Sequence, residues 1–424
     1  MIVAFTLFMI LLCTGLPIYA NLGFCAFVFM FVEGFNPITV VQRIAMSANS
    51  FTLLAAPFFI LMGNIMNNSG VTTRMFNFAN VLVGHHTGGL GHANVLASVM
   101  FAGGSGTAVA DAGGLGTIEI KAMRDAGYDD DFTCAVSATS SVIVPITPPS
   151  LPMVILAVTV EASIGRLFLG GILPGLLVAA ALMTTVSIYA HKRNYPKGPK
   201  PTLKTTWVSF KEAFWALLTP IILFAGIFSG AFTPTEAAAA AAFYALILGL
   251  FIYKELKFKD LPKVFLATCE TTGVVLALVM TASAFGYILS VSQVPQAMTE
   301  FLLSIAHSKF VLLLIINVFL LFVGMFMEAT ALILILSPIL VPIMIHMGLN
   351  ETHACMIIIL NLMIGVVTPP VGVVLFIIAN IAKLSFERVT RATLPFLIPL
   401  LIVLALVTYV PGITLFIPNL VFGK

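Results

Sequence analysis

Residues 127–149 read GYDDDFTCAVSATSSVIVPITPP, and residues 348–370 read GLNETHACMIIILNLMIGVVTPP. Gly127 and Gly348 open the two stretches, Cys134 and Cys355 follow, and Thr147-Pro148-Pro149 and Thr368-Pro369-Pro370 close them. The offset is the same each time: 348 − 127 = 221, 355 − 134 = 221 and 368 − 147 = 221. Gly103 and Gly324 keep it as well, since 324 − 103 = 221. One offset held over several separate features marks an internal duplication. Each copy places two prolines inside a long apolar run. They remove two backbone donors and force a break in any helix there. Near the start of each half, Gly15-Leu16-Pro17 has a looser counterpart in Gly230-Ala231-Phe232-Thr233-Pro234.

The runs around these breaks decide the solvent. The chain has 424 residues, of which 60% are hydrophobic and 9% charged, against about 25% charged in an ordinary soluble domain. Apolar stretches of about 20 residues recur along the length, enough to cross a hydrocarbon layer about 30 Å thick. They are continuous and do not alternate, so the spans read as helices, not barrel strands. The net charge of +3 is small, and the Lys and Arg residues cluster in loops with no nucleic-acid-like stripe. Cys13, Cys25, Cys134, Cys269 and Cys355 form no CxxC pair and read as small buried hydrophobes. Met1-Ile2-Val3-Ala4 opens without a basic n-region, so the first stretch is expected to be a mature helix pair broken near Pro17.

The expected fold is an all-α polytopic membrane protein of two inverted repeats. Residues 1–190 form the first repeat, 191–212 a linker and 213–424 the second. Each repeat should hold scaffold helices, a re-entrant hairpin (near 102–122 and near 324–345) and a broken helix (near 144–150 and near 366–372). The inversion rests on charge. The linker HKRNYPKGPKPTLK (191–204) is rich in Lys and Arg and should be cytoplasmic. Lys254, Lys257, Lys259 and Lys263 form a second basic loop two helices later, on the same side. The corresponding loop of the first repeat, Glu33 to Ser50, carries Arg43 alone and reads as periplasmic, with the N-terminus outside. Duplicated halves with helix breaks at matching places are the sequence mark of secondary transporters.

The segment Gly103-Gly104-Ser105-Gly106-Thr107-Ala108-Val109-Ala110-Asp111-Ala112-Gly113-Gly114 is too glycine-rich for a plain spanning helix. Its carbonyls and hydroxyls suit a hard cation such as Na⁺, which takes several oxygen ligands. The expected cation ligands are Gly103, Ser105, Gly106, Thr107, Val144 and Thr147 in the first half, and Gly324, Thr330, Val366 and Thr368 in the second. The expected solute contacts are Ser105, Thr107, Asp111, Glu328, Thr330, Pro149 and Pro370. Asp111 and Glu328 qualify as ionisable groups in apolar stretches.

Plainer readings stand beside these. Gly113, Gly114 and Gly116 suit close helix packing equally well. Asp129, Asp130 and Asp131 read as a solvated loop. His85, His86, His346 and His353 read as interfacial, and Trp207 and Trp215 as interface anchors. Ser105 within Gly103-Gly104-Ser105-Gly106 also looks like the nucleophile motif of an intramembrane serine protease. Its base would have to be His307, His346 or His353, all near helix ends, and the duplication has no role in that chemistry.

The Gly230–Ala238 segment GAFTPTEAA, the Gly103–Gly114 stretch and the paired TPP breaks resemble the large membrane subunit of tripartite ATP-independent periplasmic (TRAP) transporters, over essentially the whole chain. The resemblance implies no enzyme activity. It implies Na⁺-coupled uptake, with two or more Na⁺, of a carboxylate solute across the bacterial inner membrane. Sialic acid is the first expectation and a C4-dicarboxylate the next. It further implies a periplasmic substrate-binding protein, a small four-helix membrane subunit as a separate chain, and elevator-type motion of a hairpin–broken-helix unit. The wider fold resembles the divalent-anion/Na⁺ symporters, so a stand-alone symporter of that kind is the alternative.

Overall fold

The computed structural model describes residues 2–305 and 308–423, and the described elements are helical. In the first half, α1 (Ile2–Cys13) and α2 (Ile18–Val32) meet at the Gly15–Pro17 break. Next come α3 (Ile38–Ala48), α4 (Ala55–Asn68) and α5 (Val71–Val83). A hairpin of α6 (Gly89–Ser105) and α7 (Ala108–Asp125) follows. The broken helix is α8 (Asp130–Ser140), α9 (Ile143–Ile146) and α10 (Leu151–Val160), and α11 (Ile164–Lys192) ends the half. The second half begins with α12 (Leu203–Phe228), α13 (Pro234–Ile247), α14 (Leu261–Val291) and α15 (Val294–Ile305). Its hairpin is α16 (Lys309–Gly324) and α17 (Ala329–His346). Its broken helix is α18 (Glu351–Gly365) and α19 (Val373–Ala382), followed by α20 (Phe386–Tyr409) and α21 (Gly412–Phe422).

The duplication sets helix starts to the residue. Ala329 − Ala108 gives 221, and so does Glu351 − Asp130. The halves also exchange partners. α2 packs on α14 while α4 packs on α13, and α10 packs on α17 while α19 packs on α7. Each broken helix is thereby clamped against the other half's hairpin. Helix α11 measures the inversion. Its Gly170 abuts Thr352 at the foot of the second hairpin, and its Ala190 abuts Gly88 at the foot of the first. Those contacts lie 190 − 170 = 20 residues apart, about 30 Å at 1.5 Å per residue. The hairpins therefore enter from opposite ends of one bilayer-length helix. Helix α14 repeats the measurement, with the lysine loop at its start and Arg43 stacked over Tyr287 near its end, 4.4 Å from the ring centroid.

Local chemistry explains the motif richest in alanine. Thr233 caps α13, Pro234 occupies its first turn, and Glu236 reaches back to the Thr233 N–H at 2.8 Å. This is a capping box. Ala237, Ala238, Ala241, Ala242 and Ala245 are buried, and they let α13 lie close against α4.

Five sequence expectations are corrected. The segment Glu33–Ser50 is not a loop: residues 38–48 form amphipathic α3, with Val40 buried and Arg43 on Tyr287. The Gly103–Gly114 stretch is helical except at Gly106-Thr107, and Gly114 serves packing, since a Cβ there would meet Asn67 Oδ1 at 2.5 Å. Asp129, Asp130 and Asp131 are not merely solvated. Asp129 caps α8, and the three pair with Arg193, Arg124 (2.6 Å) and Arg388 (2.6 Å) respectively. His353 is buried, its ring bonded to Thr414 Oγ1 at 2.8 Å. Cys269 is exposed on the outer face of α14, where a thiol can meet lipid instead of protein, whereas Cys25, Cys134 and Cys355 are buried. The side chain of Cys13 lies outside the described residues. Trp207 and Trp215 are exposed on α12.

Candidate substrate and ion site

Each hairpin tip is tied to the break of its own half by one backbone hydrogen bond. Leu151 N–H donates to Gly106 O at 3.3 Å, and Gly372 N–H donates to Met325 O at 3.3 Å. The sequence dictates both junctions. Gly106 sits at φ 64° and Gly372 at φ 53°, a region that glycine enters without strain. A Cβ on Gly106 would lie 3.1 Å from Leu151 N and 3.4 Å from Pro149 O. The Pro148-Pro149 and Pro369-Pro370 peptides are both cis.

The first junction gathers Gly106, Thr107, Pro149 and Ser150. Thr107 caps α7, its Oγ1 accepting from Ala110 N–H at 3.2 Å. Ser150 caps α10 and donates to Pro145 O at 2.5 Å, replacing the N–H that Pro149 lacks. Pro148 likewise offers no N–H to Val144 O. Thr147 Oγ1 is buried without a partner, but it is turned toward α11, where a Cβ on Gly175 would meet it at 2.2 Å. Gly103 and Ser105 end α6, and the side chain of Ser105 lies outside the described residues. Asp111 is not at the tip. It is buried one turn into α7 and accepts from Ser98 Oγ at 3.0 Å, between the hairpin arms.

The second junction is built differently. Glu328 caps α17, accepting from Ala331 N–H at 3.1 Å and from Thr330 Oγ1 at 2.6 Å, so these two expected site residues do meet. Glu328 is exposed and Thr330 half-buried. Gly324 packs backbone to backbone on Gly365, where an added Cβ would meet Gly324 Cα at 2.8 Å. Val366 O accepts from Val374 N–H at 3.1 Å, and Thr368 Oγ1 donates to Ile364 O at 2.6 Å. Pro370 follows in the break, beside the turn that brings Gly372 to Met325.

Sequence reading missed Glu119. It is buried on α7 beside Asp111 and Ser137. The signal was present, because the buried residues Ala108, Asp111, Ala112, Leu115, Gly116, Glu119, Ile120 and Met123 recur at helical spacing on one face. The protease reading finds no triad among the described residues. His307 lies outside them, His346 is exposed, and His353 is committed to Thr414 and Thr408.

Two inverted repeats, each a hairpin tip bound to a broken helix, define a membrane transport protein of the secondary-transporter architecture. Residues 5–413 match the tripartite ATP-independent periplasmic transporter, DctM component, and the chain belongs to that family. It is 47% identical over 414 residues to the sialic acid TRAP transporter large permease of Vibrio cholerae, covering 97% of each chain. It is 43% identical to the sialic acid TRAP transporter permease of Haemophilus influenzae, covering 99% of this chain and 68% of the relative. It is 37% identical to the C4-dicarboxylate large permease of Rhodobacter capsulatus, covering 99% of both. Among solved structures, the Alcanivorax borkumensis YdaH transporter aligns with a TM-score of 0.60 at 15% identity, over 88% of this chain and 87% of that one, a likeness of fold. The family consists of permeases, not enzymes, and the chain is a multi-pass protein of the bacterial inner membrane.

Proposed function

We propose that this chain is the large membrane subunit of a Na⁺-coupled importer of a carboxylate solute, with sialic acid the first candidate. The carrying observation is the pair of matched junctions, each joining a capped hairpin tip to a proline-broken helix. Such junctions interrupt helical bonding at membrane depth, where neutral carbonyl and hydroxyl oxygens can hold a monovalent cation without a charged ligand. One Na⁺ would sit among Gly103, Ser105, Gly106, Thr107 and the carbonyls of Val144 and Thr147. A second would sit among Gly324, Thr330, Val366 and Thr368. The solute would lie between Ser105, Thr107 and Pro149 on one side and Glu328, Thr330 and Pro370 on the other. Asp111, bonded to Ser98 between the hairpin arms, stands behind that contact set. Sialic acid is favoured by the two relatives whose names carry it, at 47% and 43% identity, over the dicarboxylate relative at 37%.

The linked subunits follow from the same reading. A periplasmic binding protein delivers the solute, and a small four-helix membrane subunit supports the scaffold helices while the hairpin–broken-helix unit moves. The Haemophilus permease and the Oleidesulfovibrio alaskensis isethionate permease named DctMQ are longer chains, matched over 68% and 66% of their lengths, and this supports a two-part membrane assembly.

The test is uptake into proteoliposomes containing this chain, its small subunit and the binding protein. Sialic acid should accumulate only under an inward Na⁺ gradient and only with all three components. Unchanged uptake with choline in place of Na⁺ would refute the coupling. Full uptake of free solute by this chain alone would favour the stand-alone symporter.

A further inference from the structure

Three helices of the first half enclose a set of oxygen atoms that nothing at the hairpin tip uses. Glu119 on α7 is 1% exposed, and neither carboxyl oxygen has a hydrogen-bond partner in good geometry. Ser137 on α8 lies beside it, and Ser137 Oγ accepts from Asn94 Nδ2 on α6 at 2.8 Å. Asn94 Oδ1 is fully buried and has no donor. Thr133 Oγ1, one turn before Ser137 on α8, is likewise buried and unpartnered.

No cation faces this group. Helices α4, α9 and α19, which pack on α7, carry no charged residue. On α5, Arg74 is bound to Glu255, and on α6, His92 is hydrogen-bonded to Ser187. On α8, Asp130 and Asp131 lie at the far end and are paired. On α7 itself, Lys121 is exposed, Asp125 ends the helix, and Arg124 is spent on Asp130 and Ala382 O. What remains is Asp111, a second carboxylate two turns away, which opposes a charge on Glu119.

The other half supplies the control. At the fixed offset, Asp111 corresponds to Leu332 (332 − 111 = 221), Glu119 to Leu340 (340 − 119 = 221) and Ser137 to Ile358 (358 − 137 = 221). All three are buried in the second hairpin's packing. The same backbone thus packs with hydrocarbon at these positions, so the carboxyl is not required by the fold.

An ionised carboxylate in such a place has lost its water and gained no cation, with the Ser137 hydroxyl as the one donor beside it, which is strongly unfavourable. Na⁺ suits the place poorly. Around Glu119 the helices are unbroken, their carbonyls are engaged in helical bonds, and side chains alone cannot complete its oxygen shell. A proton suits it well. A carboxylic acid brings one O–H donor, the group that Asn94 Oδ1 and Thr133 Oγ1 lack, while Ser137 Oγ already accepts from Asn94 Nδ2.

We propose that Glu119 is a proton-binding site of the first hairpin, its neutral carboxylic acid donating into the Asn94–Ser137–Thr133 cluster.

Infrared spectroscopy of the purified full-length chain in detergent at neutral pH tests this, with natural-abundance and ¹³C-glutamate-labelled samples. Among the described residues Glu119 is the one fully buried glutamate. The expected result is a protonated-acid carbonyl band that moves with the glutamate label and is lost in Glu119→Gln. Should that variant not fold, the isotope shift in the native chain decides alone. A spectrum with no label-sensitive acid band overturns the proposal. So does a band that survives Glu119→Gln, or one bleached by saturating Na⁺, which would make the carboxylate a cation ligand.

Discussion

The two hairpin–broken-helix units share their helix starts, their glycine-bearing junctions and their proline pairs, yet they spend their side chains differently. In the first, the feet are pinned by ion pairs from Asp129, Asp130 and Asp131, and the interior holds Asp111 and Glu119. In the second, the corresponding residues are Asn350, Glu351, Thr352, Leu332 and Leu340, and among the described residues the foot is held without an ion pair, by contacts such as His353 to Thr414 and Lys309 Nζ to Gly348 O. The breaks differ too. In the second, Val366 O and the Thr368 hydroxyl are engaged locally, while in the first Thr147 Oγ1 has no partner. Backbone symmetry carries the two-sided architecture. The side chains make the units unequal, with the ionisable interior in one and a drier, tighter interior in the other.

The largest expected effect comes from moving a first-half residue into the second half. Val144 corresponds to Gly365 (365 − 144 = 221). In the second unit Gly365 admits the backbone of Gly324, and a Cβ would fall 2.8 Å from it. Gly365→Val should therefore part the hairpin from its broken helix. Overpacking typically costs about 1–3 kcal/mol, and a backbone contact cannot relax as a side chain can, so the upper end is expected. Thermal unfolding in detergent checks it. A variant as stable as the native chain would mean that the two units pack alike and the contrast is superficial.

A smaller effect tests the pinned foot. Burial alone would raise the Asp129 carboxyl, but hydrogen bonds from Tyr195, the Phe132 N–H and Arg193 outweigh it and hold it below its ordinary value. A carboxyl depressed in the folded state stabilises above its unfolded pKa of about 3.9, and that contribution is lost as pH falls through the folded value. Asp129→Asn should thus lower the melting temperature at neutral pH and converge with the native chain in acid. The pair is partly exposed, so the loss should not exceed about 1 kcal/mol. An undiminished gap in acid would assign the effect to altered hydrogen bonding with Tyr195 and Arg193, not charge, since Asn caps a helix as well as Asp.

Much of this contrast was legible in sequence, and the rest failed for identifiable reasons. The offset of 221 marked both hairpin tips and both breaks because glycines and prolines act on the backbone directly, while the first arms, α6 and α16, fell largely outside the hairpins expected near 102–122 and 324–345. The ion pairs were not legible because Asp131 finds Arg388 across 257 residues, and charge patterning near 129–131 shows only solubility. For Gly113, Gly114 and Gly116 the sequence left close helix packing and a broken backbone equally open, because glycine count signals only weak helix propensity, and tertiary packing, as of Gly114 on Asn67, decides the outcome. Thr147 was placed correctly in the break, but its rotamer, turned to Gly175, is set by α11. Glu119 lay in plain helical register with the buried stripe and was hidden by its proximity to the charged run that follows.

The central claim is that the halves face opposite sides of the membrane, and cysteine accessibility tests it most directly. Asn49 follows α3, the helix that stacks Arg43 on the far end of α14, and Lys257 lies in the loop before α14 begins. In intact cells, in a background without Cys13, Cys25, Cys134, Cys269 and Cys355, Asn49→Cys should react with an impermeant thiol reagent added outside. Lys257→Cys should react only after the membrane is opened. Labelling of both from the same side would contradict the inverted repeat, and with it the exchange of conformations on which alternating access depends.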